Sequence, residues 1–279
     1  MSNINFWEDH LFVLITPDTI QRNLVKQIIE KLNENGFEPV YYEMVKATSQ
    51  DLDKLYAVHI EKKWDSYRYR LIDMLFSLDI CLALVVKAQD KTNCYERLKK
   101  LKGNNSPCKS PKGTIRRDLR GINSIMGLLH TSDNPYESEW ESSIFIKGDI
   151  KEISNLSLLL KSMNFGLEKG DYLQVLNRLR MQLLLYILNK AEGKIRDKLT
   201  DYLISYKPLY GNEFNQVICS LELKDDELSE FICFNFNEVN KAYEGNLLEK
   251  KIVKYDANLD EWERLVLISS MYFEPTVEG

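Results

Sequence analysis

The sequence predicts an α+β domain over residues 1–150 followed by a mostly α-helical domain over residues 151–279. Three observations carry this reading. Short apolar or β-branched runs at 11–15, 37–44 and 79–86 alternate with segments of helical period in the first half. From about Lys151 the strand-like runs stop and leucines recur at spacings of three and four. The length of 279 residues, at roughly 100–200 residues per domain, fits two domains better than one or three.

Taken in order, Leu11-Phe-Val-Leu-Ile15 is a wholly apolar run stopped by Thr16-Pro17-Asp18, a buried strand followed by a turn. From Ile20, the residues Leu24, Val25, Ile28, Ile29 and Leu32 fall on one helical face, and Asn35-Gly36 supplies the stop. Phe37 to Met44, with Val40, Tyr41 and Tyr42, favours a pleated conformation and is the second strand. Leu52, Leu55 and Tyr56, then Tyr67, Leu71, Ile72 and Leu75, predict two helices between Ser49 and Phe76 joined near Lys63. Asp79 to Val86 is a third strand, apolar enough to be central in its sheet. A short helix over Tyr95 to Leu101 precedes a loop rich in Gly, Asn, Ser and Pro from Gly103 to Gly113. In the second half, Tyr172 to Leu188, Asp225 to Tyr243 and Asp260 to Tyr272 have helical period, and Lys207 to Gly211 is a turn.

Composition excludes several classes. With 37 basic and 42 acidic residues, a net charge of −5 and 44% apolar residues, the chain is neither collagenous, nor wholly disordered, nor a basic nucleic-acid coat, and no specific nucleic-acid partner is expected. Its longest apolar runs fall far short of the roughly 20 residues that cross a bilayer, and Met1 to His10 lacks the basic start of a secretory signal, so a cytoplasmic protein without a membrane partner is expected. Five dispersed cysteines without a C-x-x-C pair argue against a disulfide framework or a zinc site and for reduced thiols. Charge is unevenly spread. Between Asp90 and Arg120 ten basic residues face three acidic ones, a local excess of positive charge suited to a phosphate-rich partner or to an ordinary solvated loop.

Four segments of the first half are suggestive together: Thr16-Pro17-Asp18 with Gln21-Arg22, Lys112-Gly-Thr-Ile-Arg-Arg-Asp118, His130-Thr-Ser-Asp133 and the acidic helix that follows. In this order and spacing they resemble the nucleoside diphosphate kinase family, which writes them K-P-D-x-x-x-R, P-G-T-I-R-G-D and N-x-x-H-G-S-D. The resemblance covers residues 10–148, slightly over half the chain, and is silent beyond 150. It implies a ferredoxin-like βαββαβ sheet with helices on one face, assembly into homo-oligomers, and transfer of the γ-phosphate of a Mg²⁺-bound nucleoside triphosphate through a phosphohistidine to a nucleoside diphosphate or other acceptor. Imidazole suits that chemistry because it is nucleophilic near neutral pH and splits one transfer into two.

Carried over position by position, the resemblance makes His130 the nucleophile, with Ser132 and Glu141 orienting it. Arg116 would grip a terminal phosphate with its forked guanidinium. Lys99 stands where the family has a phosphate-binding arginine, Asn105 at a phosphate-binding threonine, and His59 near a phosphate-side tyrosine. Tyr67 aligns with the aromatic residue that stacks on the base and Leu71 with its apolar neighbour. Read from the residues alone, His130 also suits a satisfied histidine at a strand end, Arg116 an ion pair with Asp118, Tyr67 a core aromatic, and Lys99 and Asn105 solvated surface. No metal site is expected in the protein itself.

The departures are Thr16 at the family's lysine, Gly127 at its asparagine, Thr131 at the glycine after the histidine, and Arg117 at the glycine after T-I-R. Losing one charge aimed at a transferred phosphoryl group costs on the order of 10²–10³ in rate; Asn123 and Arg117 could restore an amide and a charge. Three functions follow: a divergent phosphotransferase, a catalytically impaired nucleotide-binding pseudoenzyme that signals or scaffolds through the helical domain, and a protein-interaction module with a filled pocket. The helical domain itself offers docking, oligomer control or acceptor recognition. Lys224 to Glu230 reads as a helix N-terminus and Phe231 to Phe236 as core.

Overall fold

A computed structural model describes residues 4–61, 66–148, 150, 168–205, 207–234, 236 and 245–277. They form two compact units, one up to Lys169 and one over Gly170–Val277.

The first unit is an α+β domain. It begins with α1 (Ile4–Trp7), β1 (His10–Ile15), α2 (Pro17–Gln21), α3 (Val25–Glu34), β2 (Phe37–Val45), α4 (Ser49–Leu55) and α5 (Ala57–Glu61). It continues through α6 (Ser66–Leu78), β3 (Cys81–Ala88), α7 (Cys94–Lys102), α8 (Ile115–Asp118), β4 (Leu129–Thr131) and α9 (Pro135–Phe145). The strands form one sheet in the order β2-β3-β1-β4, with every neighbouring pair antiparallel. This is the βαββαβ arrangement, in which the parallel strands β1 and β2 are separated by β3. β2 lies at an edge, which is where Pro39 is tolerated, since its missing N–H would interrupt a central ladder.

Both faces of the sheet are covered, where one was expected. Leu11, Val13 and Ile15 of β1 with Leu82, Leu84 and Val86 of β3 pack against Val25, Ile28, Ile29 and Leu32 of α3 and Leu98 and Leu101 of α7. On the opposite face Phe12 stacks on Phe145 of α9, ring centroids 6.0 Å apart. Double coverage explains why β1 is apolar at five consecutive positions instead of alternating.

In this unit the first of the two helices expected between Ser49 and Phe76 is split into α4 and α5, and two further elements differ from the sequence expectation. The helix anticipated from Ile20 to Asn35 is broken into α2 and α3 by Asn23, at φ 54°, where an asparagine is among the residues that best tolerate the left-handed region. The third strand starts at Cys81 instead of Asp79, because the Asp79 carboxylate accepts bonds from the Ile80 N–H and from Gln21 and terminates α6. The expected join near Lys63 lies outside the described residues.

In the second unit, helices span Tyr172–Lys190, Gly193–Ile204, Gly211–Ser220, Asp226–Cys233, Gly245–Lys254 and Glu261–Tyr272. The acidic Lys224 to Glu230 segment is a helix start, Asp225 accepting the Leu228 N–H. That helix stops at Cys233 rather than running to Tyr243, and residues 237–244 lie outside the described residues. Its centre holds a buried arginine: Arg180 donates to the carbonyls of Ile232, Leu209 and Phe234 and lies 4.7 Å from the centroid of the Phe214 ring. No described helix is long and apolar enough to cross a membrane.

Candidate active site

The site is built around β4, whose three residues place His130 opposite Leu14 of β1. Strand alternation buries Leu129 and Thr131 on one side and turns His130 to the other, where it keeps 28% of its side-chain surface. The chain enters β4 through Leu128, a leucine at φ 74°. Such backbone costs of order 1–3 kcal/mol, and three bonds hold it. The Leu128 N–H donates to Asp18 Oδ2 (2.8 Å), and its carbonyl accepts from the Thr16 N–H (3.1 Å) and the Thr19 hydroxyl (2.6 Å). Asp18 is wholly buried, which pushes its carboxyl up, while hydrogen bonds from Thr16 and Leu128 and the charge of Arg22 pull the other way. Thr16 therefore turns its hydroxyl onto Asp18 Oδ1 (2.5 Å) instead of capping α2, and brings no charge to the site.

His130 is clamped from one side. Its Nε2 lies 2.7 Å from Glu141 Oε2 on α9, and the Ser132 hydroxyl donates to the same oxygen at 2.5 Å. An ionised carboxylate can only accept, so Nε2 is the donor towards Glu141, and in the neutral ring the lone pair is then on Nδ1. The Pro135 start of α9 and the Asn134 cap on the Glu137 N–H set the helix that delivers Glu141. His130, Ser132 and Glu141 thus come together as one hydrogen-bonded group.

Arg116 is also brought here, in a different state from the open phosphate grip expected of it. It is buried, and its guanidinium donates to the carbonyls of Gly127 (2.9 Å), Leu129 (2.9 Å) and Asn104 (3.1 Å) and to Asn105 Oδ1 (2.9 Å). Four of its five N–H groups are so engaged. Burial lowers it to about 10, partly opposed by Asp18, which leaves it charged at neutral pH. Arg116 is therefore a clasp between the loop after α7 and the entry to β4. Its alternative partner Asp118 is taken by Lys31 (2.6 Å) and the Gly113 N–H. Gly127 fits this clasp, because a Cβ there would stand 3.2 Å from Arg116 Nε. Asn123 is wholly buried with its Oδ1 accepting the Ile125 and Met126 N–H groups, which ties it to the loop.

The remaining expected residues are dispersed. Lys99 on α7 makes a half-exposed ion pair with Asp133 at 3.0 Å, a kind of contact worth about 0–1 kcal/mol. Asn105 is exposed and spends its carbonyl oxygen on Arg116. Tyr67 is half-buried on α6. Leu71, expected beside a base, is only 1% exposed and is a packing residue in this structure, with almost no surface to offer a ligand. The His59 side chain lies outside the described residues. Arg117 hydrogen-bonds the Cys108 carbonyl and, with Lys112, Asp118 and Arg120, lines a separate basic concavity of about 580 Å³ that includes neither His130 nor Glu141.

Two residues were missed. Tyr56, three positions before His59, lies in the field of both Glu141 and Arg116, and burial raises its phenol; in the sequence it passes as one apolar position of a helix. Lys102 is buried at the end of α7 with Arg116, Lys99, Asp133 and Glu141 as its charged surroundings, and in the sequence it is one lysine among ten cations. Among the described residues no group of three or more His, Cys, Asp or Glu converges to hold a metal ion.

The site thus consists of a four-stranded βαββαβ sheet whose edge strand carries a histidine held by a carboxylate. Comparison with known proteins agrees with the motif reading. The chain belongs to the nucleoside diphosphate kinase family, whose profile matches residues 9–150. The nucleoside diphosphate kinase of Methanococcus maripaludis is 31% identical over 137 residues, 49% of this chain and 97% of its own length. That of Microcystis aeruginosa is 33% identical over 137 residues, 49% of this chain and 87% of its own. A crystal structure of the Encephalitozoon cuniculi nucleoside diphosphate kinase aligns with a TM-score of 0.46 at 24% identity, covering 54% of this chain and 97% of that one. The matched profile ends at residue 150, ahead of the helical unit.

Proposed function

We propose that residues 9–150 bind a nucleoside triphosphate as its Mg²⁺ complex and that His130 Nδ1 accepts the γ-phosphoryl group for transfer to a nucleoside diphosphate or another acceptor. The observation that supports this most is the clamp on Nε2 by Glu141 and Ser132. It fixes the tautomer and leaves Nδ1 as the nucleophilic nitrogen. In the first half-reaction the Nδ1 lone pair forms a bond to the γ-phosphorus. The bond from that phosphorus to the β,γ-bridging oxygen breaks, and the diphosphate leaves with the electron pair. The ring becomes cationic as it is phosphorylated, and the adjacent Glu141 carboxylate stabilises that charge. In the second half-reaction an acceptor oxygen attacks the same phosphorus and Nδ1 leaves. Magnesium bound to the substrate's phosphates would offset their charge; the chain's own part is to position the histidine and to supply cations.

The test is incubation with Mg²⁺ and γ-labelled ATP, followed by detection of acid-labile, alkali-stable phosphoprotein. Label on the wild type, none on His130→Ala and a rate about 10- to 100-fold lower on Glu141→Gln are expected. An unlabelled wild type, or label persisting in His130→Ala, would overturn the proposal. A second reading, nucleotide binding without transfer, draws on the neutral Thr16 turned onto Asp18 and on the Arg116 guanidinium already engaged by carbonyls. Measurable ADP binding with no label would favour it. We assign the helical unit docking or acceptor recognition, tested by deleting residues 170–279 and comparing assembly and label transfer.

A further inference from the structure

Five cations are buried among the described residues: Arg22, Lys102, Arg116, Arg180 and Lys251. Arg22 donates to the Arg120 carbonyl, Arg116 to four oxygens and Arg180 to three carbonyls, and Lys251 lies over the Phe231 ring at 5.5 Å. Lys102 is the exception. It is 8% exposed and has no hydrogen-bond or ion-pair partner among the described residues. Its stem is buried while its Nζ, which is not among the fully buried polar atoms, keeps contact with solvent. A partly desolvated ammonium that no carboxylate of the chain pairs is open to an anion that the polypeptide does not supply.

Its surroundings identify the anion. Lys102 ends α7, three residues beyond Lys99 and so beside it on the helix. α7 packs against both β4, which carries His130, and α8, which carries Arg116. The chain turns immediately afterwards at Gly103, φ 95°, where a Cβ would stand 2.8 Å from Ser110 Oγ, so the helix end is fixed in place. The charged groups around Lys102 are Arg116 and Lys99, which repel it, and Asp133 and Glu141, which attract it. Neither carboxylate is free to neutralise it: Asp133 pairs with Lys99, and Glu141 is shared by His130 and Ser132. Net positive charge is left on the α7 side of the site.

We propose that Lys102 is a phosphate-binding residue of the His130 site, its ammonium completed by the polyphosphate oxygens of a bound nucleoside di- or triphosphate. The inference rests on the proposed nucleotide reading and names the residue that supplies the charge which Thr16 does not. Burial, reinforced by Arg116, lowers the ammonium to about 8 in the free protein. A polyphosphate would favour its charged form, so ligand binding above that pH takes up a proton.

The experiment is calorimetric titration of the full chain at pH 8.5 with Mg²⁺-ADP and with inorganic pyrophosphate, in two buffers of different ionisation enthalpy. The wild type is expected to bind both with uptake of about half a proton or more per site. Lys102→Met should bind at least about 10-fold more weakly without that uptake, and Lys102→Arg should keep affinity within about threefold while losing the uptake. Wild-type affinity and wild-type proton uptake in Lys102→Met overturn this assignment and leave the nucleotide reading standing. Absence of wild-type binding to either ligand overturns both. Circular dichroism of each variant confirms that the fold is retained, and Lys102→Arg reports on the charge if Lys102→Met does not fold.

Discussion

Replacing Lys102 by methionine should make the unliganded protein more stable at neutral pH, and the pH dependence of the gain is the informative part. Methionine preserves most of the buried stem and removes the ammonium. Burial lowers the lysine from 10.5 to about 8, and each pKa unit corresponds to about 1.36 kcal/mol, so holding the charge in the folded state costs at most about 3 kcal/mol, less whatever the solvent contact of Nζ returns. The sign follows from a base whose folded pKa is depressed. Its neutral form contributes stability above about 10.5, and that stability is lost as pH falls through about 8. Below 8 the ammonium is charged in both states and the whole cost is present. The variant's advantage should therefore be largest at pH 6–7 and vanish towards pH 10.5. Urea unfolding of wild type and variant at several pH values measures it as a difference, in which the other lysines cancel. A variant no more stable than wild type at pH 7, or a difference that does not change with pH, would refute the reasoning. The same residue would then trade stability of the empty site for affinity towards an anion.

Other substitutions test separate parts of the structure. The Thr131 hydroxyl is buried without a hydrogen-bond partner beside His130, so Thr131→Val should raise the melting temperature, equivalent to about 1 kcal/mol; a comparable loss would show that the hydroxyl is bonded in solution. Arg180→Met strands the carbonyls of Leu209, Ile232 and Phe234 and should cost about 3–5 kcal/mol, seen as faster hydrogen exchange over residues 170–277; unchanged protection there would contradict the clasp. Gly127→Asn places a side chain 3.2–3.5 Å from the Arg116 guanidinium and should lower the urea midpoint by an amount equivalent to about 1–3 kcal/mol, whereas an unchanged midpoint would mean that Arg116 moves aside freely.

The sequence alone carried the order of strands and helices, because apolar period is a local signal: β1, β2, α7 and the helix over Tyr172–Lys190 all stand close to where spacing puts them. The family resemblance named His130, Ser132 and Glu141 as site candidates, and the fold joins the three by hydrogen bonds. Tertiary structure decided what each cation does. Arg116 reads as a phosphate grip or a surface ion pair until the carbonyls of Gly127, Leu129 and Asn104 are seen to surround it. Leu71 reads as a lining residue until the fold buries it, and Lys102 is one of ten neighbouring cations until the fold buries its stem and leaves its ammonium unpaired beside the site. Charge counts are a property of composition, but whether a charge is paired, engaged or free depends on groups brought together from distant parts of the chain, and on how much water the fold leaves around them.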